Sequence, residues 1–316
     1  MYTCVYNCAV IILRGNLFHC YLLGFAYSAK QARYNFNTMS RYSVNAMNTN
    51  IDVDLDSNIC YFDEVSSTMD KAKEVLRDKA NNNKDIFAII AGNQYNGRGT
   101  NGRIWKSGSN NLYMTAVFPL SLVPVPISLI PLRMGTLIAP TIQSLLDSDA
   151  SKMVQLKWPN DVLIDNKKIG GVLIEIENDN VLVGIGCNIG DAPIVEINGK
   201  NGGRKSTCLY DYKLRLYSEN NENNVKNVRN MVANSILNNI KNWIEEANDT
   251  SLLVINEFQS LMTNSPQILR KELSKDDTGS IIGQSVIPLR LNIDGTLQVK
   301  LVENDKELCL ITDYLF

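Results

Sequence analysis

One histidine, His19, serves all 316 residues, and it sits near the N-terminus. A Ser-His-Asp or Cys-His catalytic arrangement in the body of the chain is therefore excluded, and so is a histidine-based zinc site. Any chemistry must run on lysine, arginine, aspartate, asparagine and main-chain N–H groups. Cysteine is sparse as well. Cys4, Cys8 and Cys20 fall near the N-terminus, and Cys60, Cys187, Cys208 and Cys309 stand singly with no C-x-x-C. That pattern reads as reduced thiols in a reducing compartment, the cytoplasm. No apolar run reaches the ~20 residues of a membrane span, so no membrane is expected as a partner. Positive charge is not in excess: 31 Lys and Arg face 33 Asp and Glu. With no basic footprint and no helix-turn-helix pattern, nucleic acid is not expected either.

Acidic residues are missing from residues 1–51, which carry Arg14, Lys30, Arg33 and Arg41 beside the apolar stretches "CAVIIL" and "CYLLGFAY". The bias resembles an organelle transit peptide, mitochondrial or plastid. The plainer reading is a disordered tail, with Met39 and Met47 as alternative starts. Arg14 interrupts the apolar run, which argues against a secretory signal.

What is present after residue 51 alternates between strand and helix patterns. "NICYFDEV" at 58–65 reads as a short strand. Ser66, Ser67 or Thr68 then caps a helix with Ala72, Val75, Leu76 and Ala80 on one face. "IFAIIAGNQ" at 86–94 is a buried strand by its continuous apolar run, and "NLYMTAVFP" is another. "ISLIPLRMGTLIAPTIQSLL" reads as a buried helix, with Pro131 and Pro140 as start or kink points. "MVQLKWPNDVLID" is a strand running into a loop. "NKKIGGVLIEIEND" and "NVLVGIGCNIG" form an antiparallel pair. Residues 191–224 are polar and Asn-rich, mostly loop. An amphipathic helix follows, with Val225, Val228, Met231, Val232, Ser235, Ile236, Ile240, Trp243 and Ile244 on one face. From 279 the pattern has period two, with a hairpin signal at Asp294-Gly295, and predicts a small all-β unit of four or five strands.

"NGRGTNGRIW" at 96–105 contains a literal G-x-G-x-x-G at Gly97, Gly99 and Gly102. A dinucleotide fingerprint requires a helix to open inside it and an acidic residue about 20 residues on. "IWKSGSNN" is turn material and no acid lies near position 120, so that reading fails. The residue types still suit an anion. Glycines let N–H groups approach closely, Arg98 and Arg103 add forked donors, and Trp105 offers a flat face for an aromatic ring. A solvated hairpin turn with two surface arginines is the plain alternative. The second segment, "KWPNDVLIDNKKIGG" at 157–171, clusters Lys157, Trp158, Asn160 and Asp161 at a strand end, with Lys168 just before Gly170 and Gly171.

Together, "GRGTNGRIW" and "KWPNDVLIDNKKIGGVLIE" resemble the two signature segments of biotin–protein ligases. "VSSTMD" at 65–70 resembles the family's Ser-Thr-Asn entry motif, and "GIGCNIG" at 184–190 its Gly-Ile-Gly-x-Asn strand end. The resemblance runs from about residue 58 to the C-terminus. It implies an α+β fold, a class II aminoacyl-tRNA synthetase-like mixed sheet flanked by helices, with a small C-terminal SH3-like β-barrel. The implied boundaries are a leader at 1–51, a biotin- and ATP-binding catalytic domain at 52–270 and the SH3-like domain at 271–316.

The activity implied is ATP-dependent formation of biotinyl-5′-AMP, then transfer of biotin to a lysine of the acceptor domain of a biotin-dependent carboxylase. Carried over by position, Ser67, Thr68, Gln94, Gly97, Gly99, Thr100, Lys168 and Gly171 meet biotin. Arg98, Arg103, Trp105, Asn160, Asp161 and Asn188 meet ATP, with Mg²⁺ carried on its phosphates. Lys168 and Arg98 are the implied catalytic cations. Three departures stand out, one being that residues 191–224 are unlike the compact turn expected there. Thr100 replaces a frequent arginine, which implies looser hold on the adenylate. Met69 replaces the polar residue after Ser-Thr, which changes a contact at the biotin ring. Lipoate or octanoate ligases share the fold but lack the Trp-Pro-Asn-Asp segment. A non-catalytic biotin-binding regulator is the alternative of a different class. Acceptor docking by strand pairing is expected, and the same edge could pair two copies into a homodimer.

Overall fold

A computed structural model describes residues 53–78, 86–108, 110–195, 203–217, 219–246, 248–269 and 283–311. Residues 1–52, the leader included, Ala80 and residues 270–282 lie outside them, as does part of the Asn-rich stretch. Residues 50–316 form one compact unit. Among the described residues no helix is long and apolar enough to cross a membrane.

Seven strands make the main sheet: β1 (Ile59–Val65), β2 (Phe87–Gln94), β3 (Leu112–Pro119), β4 (Val154–Lys157), β5 (Asp161–Ile164), β6 (Lys167–Glu177) and β7 (Asn180–Cys187). Their spatial order is β1-β2-β3-β7-β6-β5-β4. Only β1 and β2 run parallel, joined by helix α1 (Thr68–Asp78); the other pairs are antiparallel. The sheet is mixed and flanked by helices, as the motifs implied.

Period-two alternation decides which helix covers which face. Phe87 and Ile89 of β2, with Val117 of β3 and Leu182 of β7, pack on Met69, Ala72 and Leu76 of α1. The intervening Ala88, Ile90, Met114, Ala116 and Phe118 face the larger core. There they meet α2 (Ile130–Leu145), α4 (Glu222–Glu245) and α5 (Ser251–Leu261). A five-residue helix, α3 (Ser148–Lys152), is capped by Asp147, whose side chain accepts from the Asp149 and Ala150 N–H groups. Pro131 sits in the first turn of α2, where its missing N–H costs nothing, and Pro140 is accommodated inside the helix.

Two differences from the sequence pattern have simple causes. After the Trp158-Pro159 turn the chain does not enter a loop. It reverses into β5, whose Val162, Leu163 and Ile164 are fully buried between β4 and β6. The face of α4 is also wider than its apolar stripe. Asn227, Asn230 and Asn234 are buried and grip residues 53–56 through main-chain hydrogen bonds of 2.7–2.9 Å. Amides that satisfy a main-chain segment this way can sit in a core at little cost.

The small sheet has order β11-β10-β9-β8 and is antiparallel throughout. β9 (Ser285–Leu291), β10 (Leu297–Leu301) and β11 (Glu307–Leu310) lie in the period-two tail. The fourth strand, β8 (Gln267–Ile268), precedes that tail and is too short to show alternation. The Asp294-Gly295 hairpin presses on the start of α2: a Cβ on Gly295, whose φ is +85°, would lie 2.8 Å from Leu129, just before the helix, and 3.5 Å from Leu132 within it.

Candidate functional site

The stretch of residues 97–105 is an antiparallel hairpin. Gly99 N–H donates to Arg103 O at 2.8 Å and Trp105 N–H to Gly97 O at 2.9 Å. Arg98 and Ile104 face each other as a bridge. At the tip Asn101 and Gly102 both take positive φ, 58° and 70°. Asparagine and glycine are the residues that tolerate this, which is why "NG" occupies the turn. The Thr100 hydroxyl and carbonyl oxygens both accept from Arg103, the carbonyl at 3.0 Å.

Trp105 swings inward from this hairpin onto a floor without side chains. Gly171 of β6 pairs with Gly186 of β7, so both present the same face. A Cβ on Gly186 would lie 2.4 Å from the Trp105 ring, and one on Gly171 would lie 3.1 Å from both Trp105 and Lys168. The indole Nε1 is buried with no hydrogen-bond partner, a donor that an incoming acceptor would satisfy. Lys168 Nζ rests over the same ring, 5.3 Å from its centroid.

The Trp-Pro-Asn-Asp turn brings the opposing charge. Asp161 accepts Lys168 Nζ at 2.6 Å and lies 3.7 Å from Lys157 Nζ. Burial raises the Asp161 carboxyl, but Lys168, Lys157 and Arg103 outweigh it and hold the group at about 2. A prediction follows for acid unfolding. The folded value lies below the ordinary 3.8, so Asp161 contributes stability above that value and loses it as pH falls toward 2. The contribution is on the order of 2 kcal/mol. Asp161→Asn should flatten the stability curve between pH 4 and pH 2 in urea titrations; an unchanged slope would refute the assignment.

At the other end of the cavity, Thr68 is held from two strands. Its N–H donates to Gln94 Oε1 at 3.4 Å, and Thr115 Oγ1 donates to Thr68 Oγ1 at 2.9 Å. Ser67 Oγ accepts the Met69 N–H at the start of α1, and Met69 Sδ would lie 3.0 Å from a Cβ on Gly184. Arg98 meets α1 at the cavity wall: Nη1 and Nη2 donate to Asp70 at 2.8 and 2.7 Å. Those hydrogen bonds hold the Asp70 carboxyl below its ordinary range, with burial opposing them. Asn160 Nδ2 donates to Val172 O and Asn188 Nδ2 to Thr207 O, so both amides brace the strands that carry the site.

These parts enclose a cavity of about 450 Å³. Ser67, Thr68, Gln94, Arg98, Gly99, Thr100, Arg103, Trp105, Asn160, Asp161, Lys168, Gly171 and Asn188 all line it. Gly97 does not; it lies behind the wall, where a Cβ would strike Gln94 Nε2 at 2.6 Å. Trp158 faces away altogether, and its Nε1 donates to Gly295 O of the small sheet at 2.9 Å. Lys157 and Arg204 line the cavity without having been singled out as ligand contacts. Arg204 donates to Gln267 Oε1 and to Asn166 O. Lys157 lay in plain view inside its motif, whereas Arg204 sits in a polar stretch with no pattern to mark it. Six cationic side chains and one carboxylate, Asp161, line the cavity among the described residues. Thiol chemistry is remote from this arrangement: burial pushes the Cys187 and Cys208 thiols up to about 12 and 11.

Comparison with known proteins agrees with this geometry. Residues 61–190 match the model of the biotin/lipoate A/B protein ligase family. The bifunctional ligase/repressor BirA of Bacillus subtilis is 30% identical over 141 residues, covering 43% of this chain and 41% of that protein. A biotin–[acetyl-CoA-carboxylase] ligase of Mycobacterium tuberculosis is 31% identical over 112 residues, covering 34% and 41%. The match thus spans about two fifths of these curated relatives' length. Among solved structures, a biotin protein ligase from Leishmania major in complex with biotinyl-5-AMP is 30% identical with TM-score 0.54, covering 81% of this chain and 99% of that one. The biotin protein ligase of Aquifex aeolicus in complex with biotin and ATP, at 21% identity and TM-score 0.56, shares the fold. With both signature segments folded into one cavity and nearly the whole Leishmania enzyme covered, the chain belongs to the biotin/lipoate A/B protein ligase family.

Proposed function

We propose that the chain is an ATP-dependent biotin–protein ligase. A carboxylate oxygen of biotin attacks the α-phosphorus of ATP, the bond to the bridging oxygen breaks, and its electron pair leaves on pyrophosphate. The amine of an acceptor lysine then attacks the biotinyl carbonyl; AMP departs and the amine loses a proton, leaving an amide. The acceptor is the biotin-accepting domain of a biotin-dependent carboxylase.

One observation carries this reading. Two motifs some sixty residues apart in sequence meet in one cavity, where Lys168 and Trp105 lie on a bare glycine floor. Carboxylate attack on phosphorus needs no histidine, because a carboxylate is already ionised at neutral pH. It does need fixed cations where charge grows on the phosphoryl oxygens, and a cation-rich cavity meets that need. Ser67, Thr68, Gln94, Gly99 and Gly171 are assigned to biotin, with Gly97 shaping the wall behind Gln94. Arg103, Trp105, Asn160, Asp161 and Asn188 are assigned to the nucleotide, and Lys168 to the junction of the two. The donor set suits magnesium brought in on the nucleotide, since that ion takes one or two carboxylates plus phosphate oxygens, and Asp161 is the carboxylate at hand. There it would screen the charge of the leaving pyrophosphate.

Biotin-dependent ATP–pyrophosphate exchange by the full chain tests the first step. Exchange with biotin and not lipoate supports the reading; exchange with lipoate alone moves it to the sister activity. Ligand binding without exchange would point to a regulator. Fusing residues 1–51 to a fluorescent protein tests whether a mitochondrial or plastid form accompanies a cytoplasmic one.

Thr100 bears on the second step. It anchors Arg103 but brings no charge of its own to the hairpin tip. Thr100→Arg is therefore expected to slow dissociation of biotinyl-5′-AMP several-fold. A pulse-chase of the bound adenylate measures this, and an unchanged rate would sink the idea.

A further inference from the structure

A two-pronged ion pair ties the glycine hairpin to the first turn of α1. Both terminal nitrogens of Arg98 donate to the two oxygens of Asp70, and Glu175 stands 3.8 Å from Nη2. Asp70 lies in the first turn of α1, two residues past Thr68, which lines the cavity. Arg98 in turn is fixed to the rest of the hairpin by its bridge to Ile104 and by the main-chain bonds on either side of it. Trp105, the next residue after Ile104, covers the glycine floor. Displacement of Arg98 therefore carries the covering ring with it.

We propose that Asp70 is a positioning residue that grips Arg98, holds the hairpin down over the cavity, and so sets how long the acyl-adenylate stays bound. This rests on the ligase reading above. It assigns the arginine fork to a carboxylate of the chain itself. An isolated ion pair at a surface contributes little. This one is bidentate, which fixes orientation as well as distance. It also belongs to a network, because Glu175 is itself held by Lys73 at 2.7 Å. Its loss frees a whole hairpin rather than one side chain. With threonine rather than a cation at position 100, retention of the adenylate falls on this grip. A mixed anhydride released early is spent on water or on stray amines, so the pair also governs how selectively biotin reaches its acceptor.

The test times release of biotinyl-5′-adenylate from the full chain, chased with excess unlabelled adenylate. Wild type is compared with Asp70→Asn, Asp70→Glu, Arg98→Gln and the Asp70→Asn/Arg98→Gln pair. Asp70→Asn is expected to release about tenfold faster, with Asp70→Glu recovering part of the loss. The double variant should be no faster than the worse single one, because both break the same contact. Wild-type release should quicken with ionic strength, as a half-exposed pair is screened, and Asp70→Asn should lose that dependence. A merely structural role for Asp70 would leave the salt dependence in place, and that result overturns the proposal. Slower release from Asp70→Asn overturns it too, since it would mean that a freed Arg98 binds the phosphate. A wild-type chain that forms no adenylate complex overturns both this proposal and the ligase reading, and is told apart because there is nothing to time.

Discussion

Lys168→Ala is expected to lower biotin-dependent ATP–pyrophosphate exchange by roughly two to three orders of magnitude, the usual cost of deleting one preorganised group aimed at developing charge. Lys168 is the cation at the junction of the two motifs. Its Nζ lies 2.6 Å from Asp161 and 5.3 Å from the Trp105 centroid, beside the bare Gly171. It is thus held by one anion on one side and one ring face on the other, a geometry fixed before any ligand arrives. Preorganisation of this kind spares the reorganisation that water would need as charge grows on the phosphoryl oxygens. The substitution has a second consequence. Asp161 keeps Lys157 at 3.7 Å but loses its closest counter-charge. Its carboxyl should rise from about 2, and thermal stability should fall by about 1–3 kcal/mol as a buried anion loses a partner. The double substitution Lys168→Ala/Asp161→Asn separates the two effects. It should remove the acid-dependent part of the loss, because no carboxyl is left to titrate, and leave exchange as low as in the single variant. Exchange within fivefold of wild type in Lys168→Ala would remove Lys168 from the reaction.

How much of this was legible beforehand depends on whether a residue's task is local. The turn at 97–105 is a local feature, since "NG" suits positive φ at its tip, although a hairpin there stood only as the plain alternative. The β6–β7 pair is equally plain, since two apolar runs flank a short polar turn. Trp158 shows the limit. It stands in the same motif as Asn160 and Asp161, yet its indole donates to Gly295, 137 residues away, and docks the small sheet. No local pattern reveals a partner at that distance. The buried asparagines of α4 lie outside the apolar face that the spacing marks: amides are usually exposed, and only the presence of residues 53–56 makes them core. Arg98, assigned to the phosphate by residue type and by its place in the motif, lines the cavity, and its fork meets Asp70, a residue of the entry motif that carried no assignment. Cations and glycines mark a site from sequence. Which cation faces the ligand, and which braces the wall, is settled by packing.

Gly186→Val should abolish ligand binding while leaving the chain folded. Valine suits a strand, and β7 is paired along its length on both sides, so the backbone at this position accepts it. The cost falls on what lies above. The first added carbon would sit 2.4 Å from Cε2 and Cζ2 of Trp105, well inside contact distance, and the two methyls of valine extend further. The neighbouring floor offers no relief, because a Cβ at Gly171 would already be 3.1 Å from the same ring. A sheet held by seven strands is stiffer than a hairpin that rests on it, so the hairpin gives way. Trp105 then lifts and carries Arg103 and Thr100 with it. A ligand at a hundred times its dissociation constant adds about 2.7 kcal/mol to stability. In Gly186→Val, melts with biotin and ATP should show none of that gain. Tryptophan emission gives an independent readout. The chain has three tryptophans, and Trp158 and Trp243 are buried in the core, so a red shift reports Trp105 moving into water. Adding Trp105→Ala to Gly186→Val removes the clash and should restore the melting temperature of the ligand-free chain without restoring nucleotide binding. If Gly186→Val keeps both the ligand-induced gain and the wild-type emission, the glycine floor is not what shapes this cavity.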